Sequence, residues 1–162
     1  MIITPSYSFT RPANTTTYTS GDLVANSATA GSVVPMSFDI SKYGVAASGK
    51  VRRIRLFKDD ETTTAATFNV HLFGSSPTVT NGDNAAFAVS TAAAFLGTIA
   101  VDMSSSAFAT TTDLAKAAVA NPEINVDLGA GKIYGLIEVT AAYGPASGEQ
   151  FTVTLEVEKS HV

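Results

Sequence analysis

Residues 151–158 read FTVTLEVE, and this stretch decides the fold class. Aromatic or aliphatic side chains occupy its odd-numbered positions, and threonine or glutamate occupies its even-numbered ones. Successive side chains of a β-strand point to opposite faces, so this period of two predicts a strand with one buried face and one outer face. The same alternation occurs in residues 123–128 (EINVDL) and in residues 68–73 (FNVHLF), where His71 and Phe73 are expected on the outer face.

Shorter apolar segments that lie between turn residues predict the remaining strands. These segments are residues 7–11, 22–25, 36–40, 54–57, 97–103 and 133–142. Glycine-containing turns at residues 128–132 (LGAGK) and 143–149 (YGPASGE) each precede a strand, and we interpret both as hairpin turns. Residues 113–120 are the helical candidate, because Thr112 can cap a helix there and Pro122 lies just beyond it.

Many short strands with turns between them predict an all-β fold, an antiparallel β-sandwich of jelly-roll type. The chain has 162 residues and a mass of 16.7 kDa, which fits a single domain over residues 1–162. Folding at this size buries about 69% of the surface that the unfolded chain exposes. Residues 1–17, which contain Pro5 and Pro12, are expected to form an extended N-terminal arm, and we expect at most one short helix.

The charge content is low for a globular domain. Charged residues make up 15% of the chain, against roughly 25% in an average protein. Ser, Thr, Ala and Gly replace them, which gives a neutral exterior whose short side chains lose little conformational entropy on contact. Such an exterior suits packing against other protein subunits, although secreted β-proteins share this composition. The net charge of −4 disfavours binding to nucleic acid, so we expect no direct nucleic-acid partner.

The sequence also gives no reason to expect a membrane partner. It has no run of 18 apolar residues that could cross a bilayer. Residues 1–12 lack the basic and apolar regions of a signal peptide, so we expect none. The chain contains no cysteine, so we expect no disulfide framework and no thiolate metal site.

Residues 50–60 (KVRRIRLFKDD) carry the strongest cluster of basic side chains. The strand period places Arg53 and Arg55 on one face, where they can meet a phosphate or a partner protein. Because Asp59 and Asp60 follow at once and arginine is common in protein interfaces, we favour the partner-facing interpretation. Together with side chains of the N-terminal arm, the candidate protein-interface residues are Tyr7, Phe9, Arg11, Tyr18, Arg53 and Arg55.

No motif indicates catalysis or a bound cofactor. GAGK at residues 129–132 lacks the earlier glycine and the following Ser or Thr of a phosphate-binding loop. His71 and His161 are not spaced for a metal site or a catalytic triad. Asp83 (in NGDN) is interpreted as part of a solvated turn rather than as a calcium ligand. We therefore expect no enzyme activity, no cofactor and no metal.

Nearly the whole chain resembles a family of capsid decoration, or cement, proteins of tailed bacteriophages, which have a jelly-roll fold. The likeness runs in order through five stretches: TRPANTTTYTSGDLVANSATAGSVVPMSF, VRRIRLFK, FNVHLFGSSPTVTNGDNAAF, LGTIAVDM and IYGLIEVTAAYGPASGEQFTVTLEV. The resemblance implies a virion protein on the capsid exterior, assembled in the host cytoplasm. It implies binding to the major capsid protein across subunit contacts, with no cofactor and no reaction. Self-association as a dimer or trimer is expected.

Two other functions remain open at this point. One is a carbohydrate- or receptor-binding β-sandwich of a phage fibre or baseplate. Sugar sites commonly expose aromatic rings, and because the chain has no Trp, tyrosines would serve: Tyr18, Tyr43, Tyr134 and Tyr143. The other is a structural protein that joins the head to the tail.

Overall fold

The computed structural model describes residues 1–41, 48–59, 66–90, 94–104, 108–109 and 116–160. These residues form two antiparallel sheets that pack face to face, which confirms the predicted all-β sandwich. The seven-stranded sheet contains β1 (Ile2–Ile3), β2 (Ser6–Thr10), β5 (Ser48–Lys58), β8 (Phe108–Ala109), β9 (Lys116–Ala120), β10 (Ile124–Asp127) and β12 (Gln150–Lys159). The five-stranded sheet contains β3 (Leu23–Val24), β4 (Met36–Asp39), β6 (Thr67–Phe73), β7 (Phe95–Asp102) and β11 (Lys132–Val139).

The pairing of the strands is nested in the way that defines a jelly roll. β2 pairs with β12 in the first sheet, and the next pair inward, β4 with β11, lies in the second. β5 then pairs with β9 and β10 in the first sheet, and β6 pairs with β7 in the second. A long hairpin that folds over itself produces this order, with successive pairs alternating between the sheets.

The nesting shows that the hairpin interpretation of two turns is wrong. Leu128–Ala130 form a 3₁₀ turn that connects β10 in one sheet to β11 in the other, and Gly131 ends it with a φ of 73°. Residues 143–149 likewise connect β11 to β12 across the sandwich. Turn residues mark where a strand ends, but they do not determine which strand the chain pairs with next.

The helix predicted for residues 113–120 is also wrong over the part that the structure describes. Residues 113–115 lie outside the described residues, while Lys116–Ala120 form β9 and pair with β5. The alanines of this segment favour a helix by less than about 1 kcal/mol per residue. Pairing with β5 and burial of Ala118 outweigh that preference. Within the described residues there is no α-helix, and none of them forms a helix long and apolar enough to span a membrane.

The core lies between the two sheets and follows the period of two. All four odd-numbered apolar residues of 151–158 are fully buried in β12, as predicted. From the facing sheet, Phe68 packs edge-to-face against Phe151, with ring centroids 5.7 Å apart. On β5, Ile54 and Leu56 point into this core, so the alternating Arg53 and Arg55 point outward.

A second apolar cluster lies on the other side of the five-stranded sheet, beneath the long connection between β6 and β7. Phe73 was expected on the outer face of β6, and it is there, but it is buried against Leu136 and Val79. The connection therefore covers one end of this outer face. Its route depends on Gly82, where an added Cβ atom would lie 2.1 Å from the backbone oxygen of Ala28.

Replacing Gly82 with alanine is expected to lower the free energy of unfolding by about 1–3 kcal/mol, because backbone atoms cannot move aside as a flexible side chain can. Urea denaturation followed by circular dichroism measures the loss. Gly144→Ala is the control, since its Cβ would meet only Thr17 Oγ1 at 3.9 Å, and it should change stability by less than about 0.5 kcal/mol. If the two substitutions lowered the free energy of unfolding equally, Gly82 would not lie in close contact with the backbone of Ala28.

Candidate functional site

The outer face of the seven-stranded sheet brings together two of the predicted interface residues, Arg53 and Arg55. We call it the docking face. Strand register arranges its side chains in cross-strand rows, which lie on β2, β12, β5, β9 and β8 in that order. One row is Ser8, Thr152, Phe57, Ala117 and Phe108; the next is Ser6, Thr154, Arg55 and Val119.

The half of the docking face on β2 and β12 consists of hydroxyl groups bonded to one another. Ser8 Oγ lies 2.7 Å from Thr152 Oγ1, and Ser6 Oγ lies 3.1 Å from Thr154 Oγ1. These short side chains are already held in place by the cross-strand bonds. A partner that covers them removes little side-chain entropy, while the hydroxyls can still donate or accept further hydrogen bonds.

The half on β5, β9 and β8 is apolar apart from the arginines of β5. Phe108 is 71% exposed and Val119 is 54% exposed, and Phe57 beside them is half-buried. Large apolar side chains that lie together on a surface indicate a contact with another molecule. The docking face thus offers an apolar strip next to a polar one, which is the usual composition of a protein interface.

Among the described residues, the arginines on and beside the docking face are paired, except for Arg55. Arg53 Nη2 lies 2.7 Å from Glu156 Oε2, and Arg52 lies 2.9 Å from Glu158 and also bonds Glu123. A β-bulge opposite Glu156 turns Arg52 and Arg53 to the same side. Arg55 is exposed and makes no hydrogen bond or ion pair with any described residue. It lies in a shallow depression lined by Thr4, Arg53, Val119, Thr154 and Glu156.

Two of the predicted interface residues point to the interior from β2. Tyr7 packs against the ring of Phe38, with centroids 6.5 Å apart. Phe9 stacks on Phe151 at 5.6 Å. The alternation of β2 places these rings on the inner side and its serines on the docking face. The expected arm is in this way part of the seven-stranded sheet, since β1 and β2 both pair with β12.

Two more predicted interface residues, Arg11 and Tyr18, belong to a buried polar network. Arg11 Nη2 lies 3.2 Å from Asp83 Oδ2, and both side chains are fully buried. The Tyr18 hydroxyl donates to Asp83 Oδ1 at 2.6 Å and accepts from Arg11 Nε at 2.8 Å. The Ala25 N–H group donates to the same carboxylate. Burial raises the pKa of Asp83, and these hydrogen bonds and the charge of Arg11 oppose the rise.

A second buried ion pair lies next to the first. Lys58 Nζ is 2.7 Å from Glu149 Oε1, and neither side chain is accessible. Tyr143 connects the two pairs, since its ring stacks on Tyr18 at 5.1 Å and its hydroxyl lies 3.5 Å from Glu149 Oε2. Burial raises the pKa of Tyr143, and the neighbouring Glu149 carboxylate raises it further. The network is therefore internal and structural, and it fixes the start of the chain to the ends of β5 and β12.

None of the described tyrosines that were considered as sugar ligands is exposed. Tyr18 and Tyr143 are buried, Tyr134 is half-buried in the second apolar cluster, and Tyr43 lies outside the described residues. Asp83, interpreted from sequence as part of a solvated turn, is instead buried, because Arg11 and Tyr18 satisfy its carboxylate.

Comparison with known proteins adds little. No protein-family model matches the chain, and no curated protein does. A chain in the structure of Desmodium yellow mottle tymovirus is 11% identical, with a TM-score of 0.28 over 97% of this chain and 85% of that one. The SPBc2 prophage-derived protein YomS is 14% identical, with a TM-score of 0.26 over 96% of both chains. At these values neither likeness bears on function.

Proposed function

We propose that this chain is a capsid decoration protein of a tailed phage. In this function it binds the outer surface of the assembled head and stabilises contacts between major capsid protein subunits. The observation that carries the proposal is the docking face. This broad sheet surface combines exposed Phe108 and Val119 with bonded hydroxyls and with Arg55, which pairs with no residue of the described ranges. The resemblance of the sequence to decoration proteins, which runs over nearly the whole chain, supports the same function.

The chemistry of the docking face fits a folded protein surface better than it fits a small molecule. The docking face is broad and sets exposed apolar side chains beside hydroxyl groups, and this is the composition of a surface that covers another protein. The exposed guanidinium of Arg55 calls for an acceptor, and a carboxylate on the partner supplies one in a bidentate geometry. We therefore expect the subunit contacts of the shell to present apolar side chains with an acidic residue among them.

Attachment of this kind needs only modest affinity per copy. A capsid repeats the same site many times, and self-association of the protein as a dimer or trimer would join several sites at once. The paired charges at the margin of the face keep repulsion between neighbouring copies low. The proposed function involves no cofactor, no catalysis, no direct contact with DNA and no membrane.

Replacing Val119 with aspartate is expected to weaken binding to heads by about 30-fold or more. The new carboxylate would pair with Arg55, its cross-strand neighbour, and this removes both an apolar side chain and a free guanidinium from the contact. The assay is co-sedimentation of purified protein with expanded heads that lack it. Val34→Asp is the matched control, since Val34 is 59% exposed and lies away from the docking face, and it should bind normally.

The possible results distinguish an error in the proposed function from an error in the surface that we assign to it. If the wild-type protein does not sediment with heads, the decoration function is wrong. If the wild type sediments and the Val119→Asp variant sediments equally well, the function stands and a different surface makes the contact. Arg55→Glu provides a second variant for the same comparison, because it replaces the unpaired cation with a charge that repels an acidic partner.

A further inference from the structure

The outer face of the five-stranded sheet has an open end that the proposed docking does not use. The connection between β6 and β7 covers the other end, over Phe73 and Leu136. On the open end, register places Thr98 of β7 beside His71 of β6, and Glu138 of β11 beside Asn69 of β6. We call these four side chains, together with the exposed Phe95 of β7, which pairs with Phe73 where the covered end begins, the open patch.

Hydrogen bonds hold the polar side chains of the open patch in fixed positions. His71 Nε2 lies 2.8 Å from Glu138 Oε2, and His71 Nδ1 lies 2.8 Å from Thr98 Oγ1. Asn69 Nδ2 donates to the same Glu138 oxygen at 3.4 Å. Glu138 is half-buried and its Oε1 bonds to no described residue, so this oxygen remains an acceptor beside the Asn69 amide.

Aromatic rings lie directly beside these polar groups. Phe95 is 52% exposed and is supported by Phe73, at 5.7 Å and edge-to-face, and by His71 at 6.4 Å. Phe87 packs on the other side of His71, with centroids 4.6 Å apart. The open patch therefore presents a supported apolar ring beside His71 at one end. The Thr98 hydroxyl lies in the row of His71, and the Asn69 amide and the Glu138 carboxylate lie one row further from Phe95.

This combination matches the two chemical faces of a sugar. A pyranose ring has a face of C–H groups that packs on an aromatic ring, and it has adjacent hydroxyls that donate to carboxylates and exchange hydrogen bonds with amides. β6 and β7 contain no Lys or Arg, and Glu138 is acidic, so an anionic ligand such as a nucleic acid or an acidic polysaccharide is disfavoured.

We propose that the open patch binds a neutral saccharide, with Phe95 as the stacking ring and Glu138, Asn69 and Thr98 as hydrogen-bonding groups. The proposal does not rest on the decoration function, because the open patch lies on the opposite sheet from the docking face. When the protein binds a head through its docking face, the open patch would point away from the shell. The same chemistry serves for a soluble sugar and for a terminal unit of a surface polysaccharide.

The test is a backbone-amide NMR titration of the full chain with the methyl glycosides of glucose, galactose, mannose and N-acetylglucosamine, alongside a printed array of neutral glycans. We expect chemical-shift changes confined to residues of β6, β7 and β11. Binding of the free glycosides indicates a site for single sugar units, and binding on the array alone indicates a longer polysaccharide.

Phe95→Ala is expected to weaken binding about tenfold, which corresponds to about 1.4 kcal/mol. Phe108→Ala is the matched control, since it removes another exposed ring from the opposite sheet, and it should bind as the wild type does. Glu138→Gln keeps the shape of the patch and should weaken binding through loss of a charged acceptor. Thermal unfolding of each variant shows that it is folded.

Three results would overturn the proposal. These are no binding in either assay, shifts that map to another surface, and equal affinity of folded Phe95→Ala and wild type. Each would leave the open patch as a set of side chains that stabilises the sheet alone. None of these results bears on sedimentation with heads, so failure here is distinct from failure of the decoration function.

Discussion

Replacement of Asp83 with alanine is expected to lower the free energy of unfolding by about 3–5 kcal/mol, because it leaves the buried Arg11 guanidinium without its counter-charge. Arg11 and Asp83 have no accessible side-chain surface and lie 3.2 Å apart. Their desolvation is offset only while the pair and its hydrogen bonds are complete. The substitution also removes the acceptor of Tyr18 and of the Ala25 N–H group. Such a loss is a large fraction of the stability of a typical domain.

Urea denaturation at neutral pH, followed by circular dichroism, measures the Asp83→Ala effect. The control is the double substitution Arg11→Met with Asp83→Leu, which removes both charges and should recover part of the lost stability. Asp22→Ala provides a second comparison, since Asp22 caps a turn through Thr19 and should cost about 1 kcal/mol. A loss below about 1 kcal/mol for Asp83→Ala would show that the network is not a desolvated ion pair.

The network is also the clearest limit on what the sequence could predict. Arg11 and Asp83 are 72 positions apart, and Lys58 and Glu149 are 91 apart. Charged residues are mostly exposed, so a charge next to Pro or Gly is ordinarily assigned to the surface. Only the jelly-roll pairing brings the start of the chain beside the long connection after β6. A single sequence does not reveal that these two segments lie side by side in the fold.

The strands themselves were predictable because each depends on a local pattern. Alternation in residues 151–158 sets which side chains of β12 enter the core, and the period also sets the outward direction of Arg53 and Arg55. Pairing partners were not predictable from turns, as the two crossings at residues 128–132 and 143–149 show. Register is a tertiary property, since it depends on which faces are buried together.

The docking face was predicted only in part for the same reason. Arg53 and Arg55 were found from the strand period. Val119 was missed because its alanine-rich segment favours a helix, and Phe108 was missed because β8 is a two-residue strand. These two side chains become a surface strip only when β8 and β9 extend the sheet beyond β5. Local patterns therefore identified the arginines of the docking face and not its exposed apolar side chains.

Deletion of residues 1–17 is expected to abolish cooperative folding, in contrast to the behaviour of an independent arm. The deletion removes β1 and β2 from the edge of β12, together with the rings of Tyr7 and Phe9 that pack against the core. It also removes Arg11 and so leaves Asp83 as a buried charge. Loss of a packed aromatic ring alone costs about 3–5 kcal/mol, and the sum exceeds the stability of a typical domain.

The measurement is thermal unfolding by circular dichroism with size-exclusion chromatography of the truncated chain. The edge of β12 becomes unpaired in this variant, so we also expect aggregation. Deletion of residues 1–5 is the control: it removes β1 but keeps β2 and Arg11, and it should leave a cooperative transition. A peptide of residues 1–17 added in excess should restore folding of the longer deletion by strand addition. A monomeric truncated chain that unfolds cooperatively within about 2 kcal/mol of the full chain would show that the segment is an arm after all.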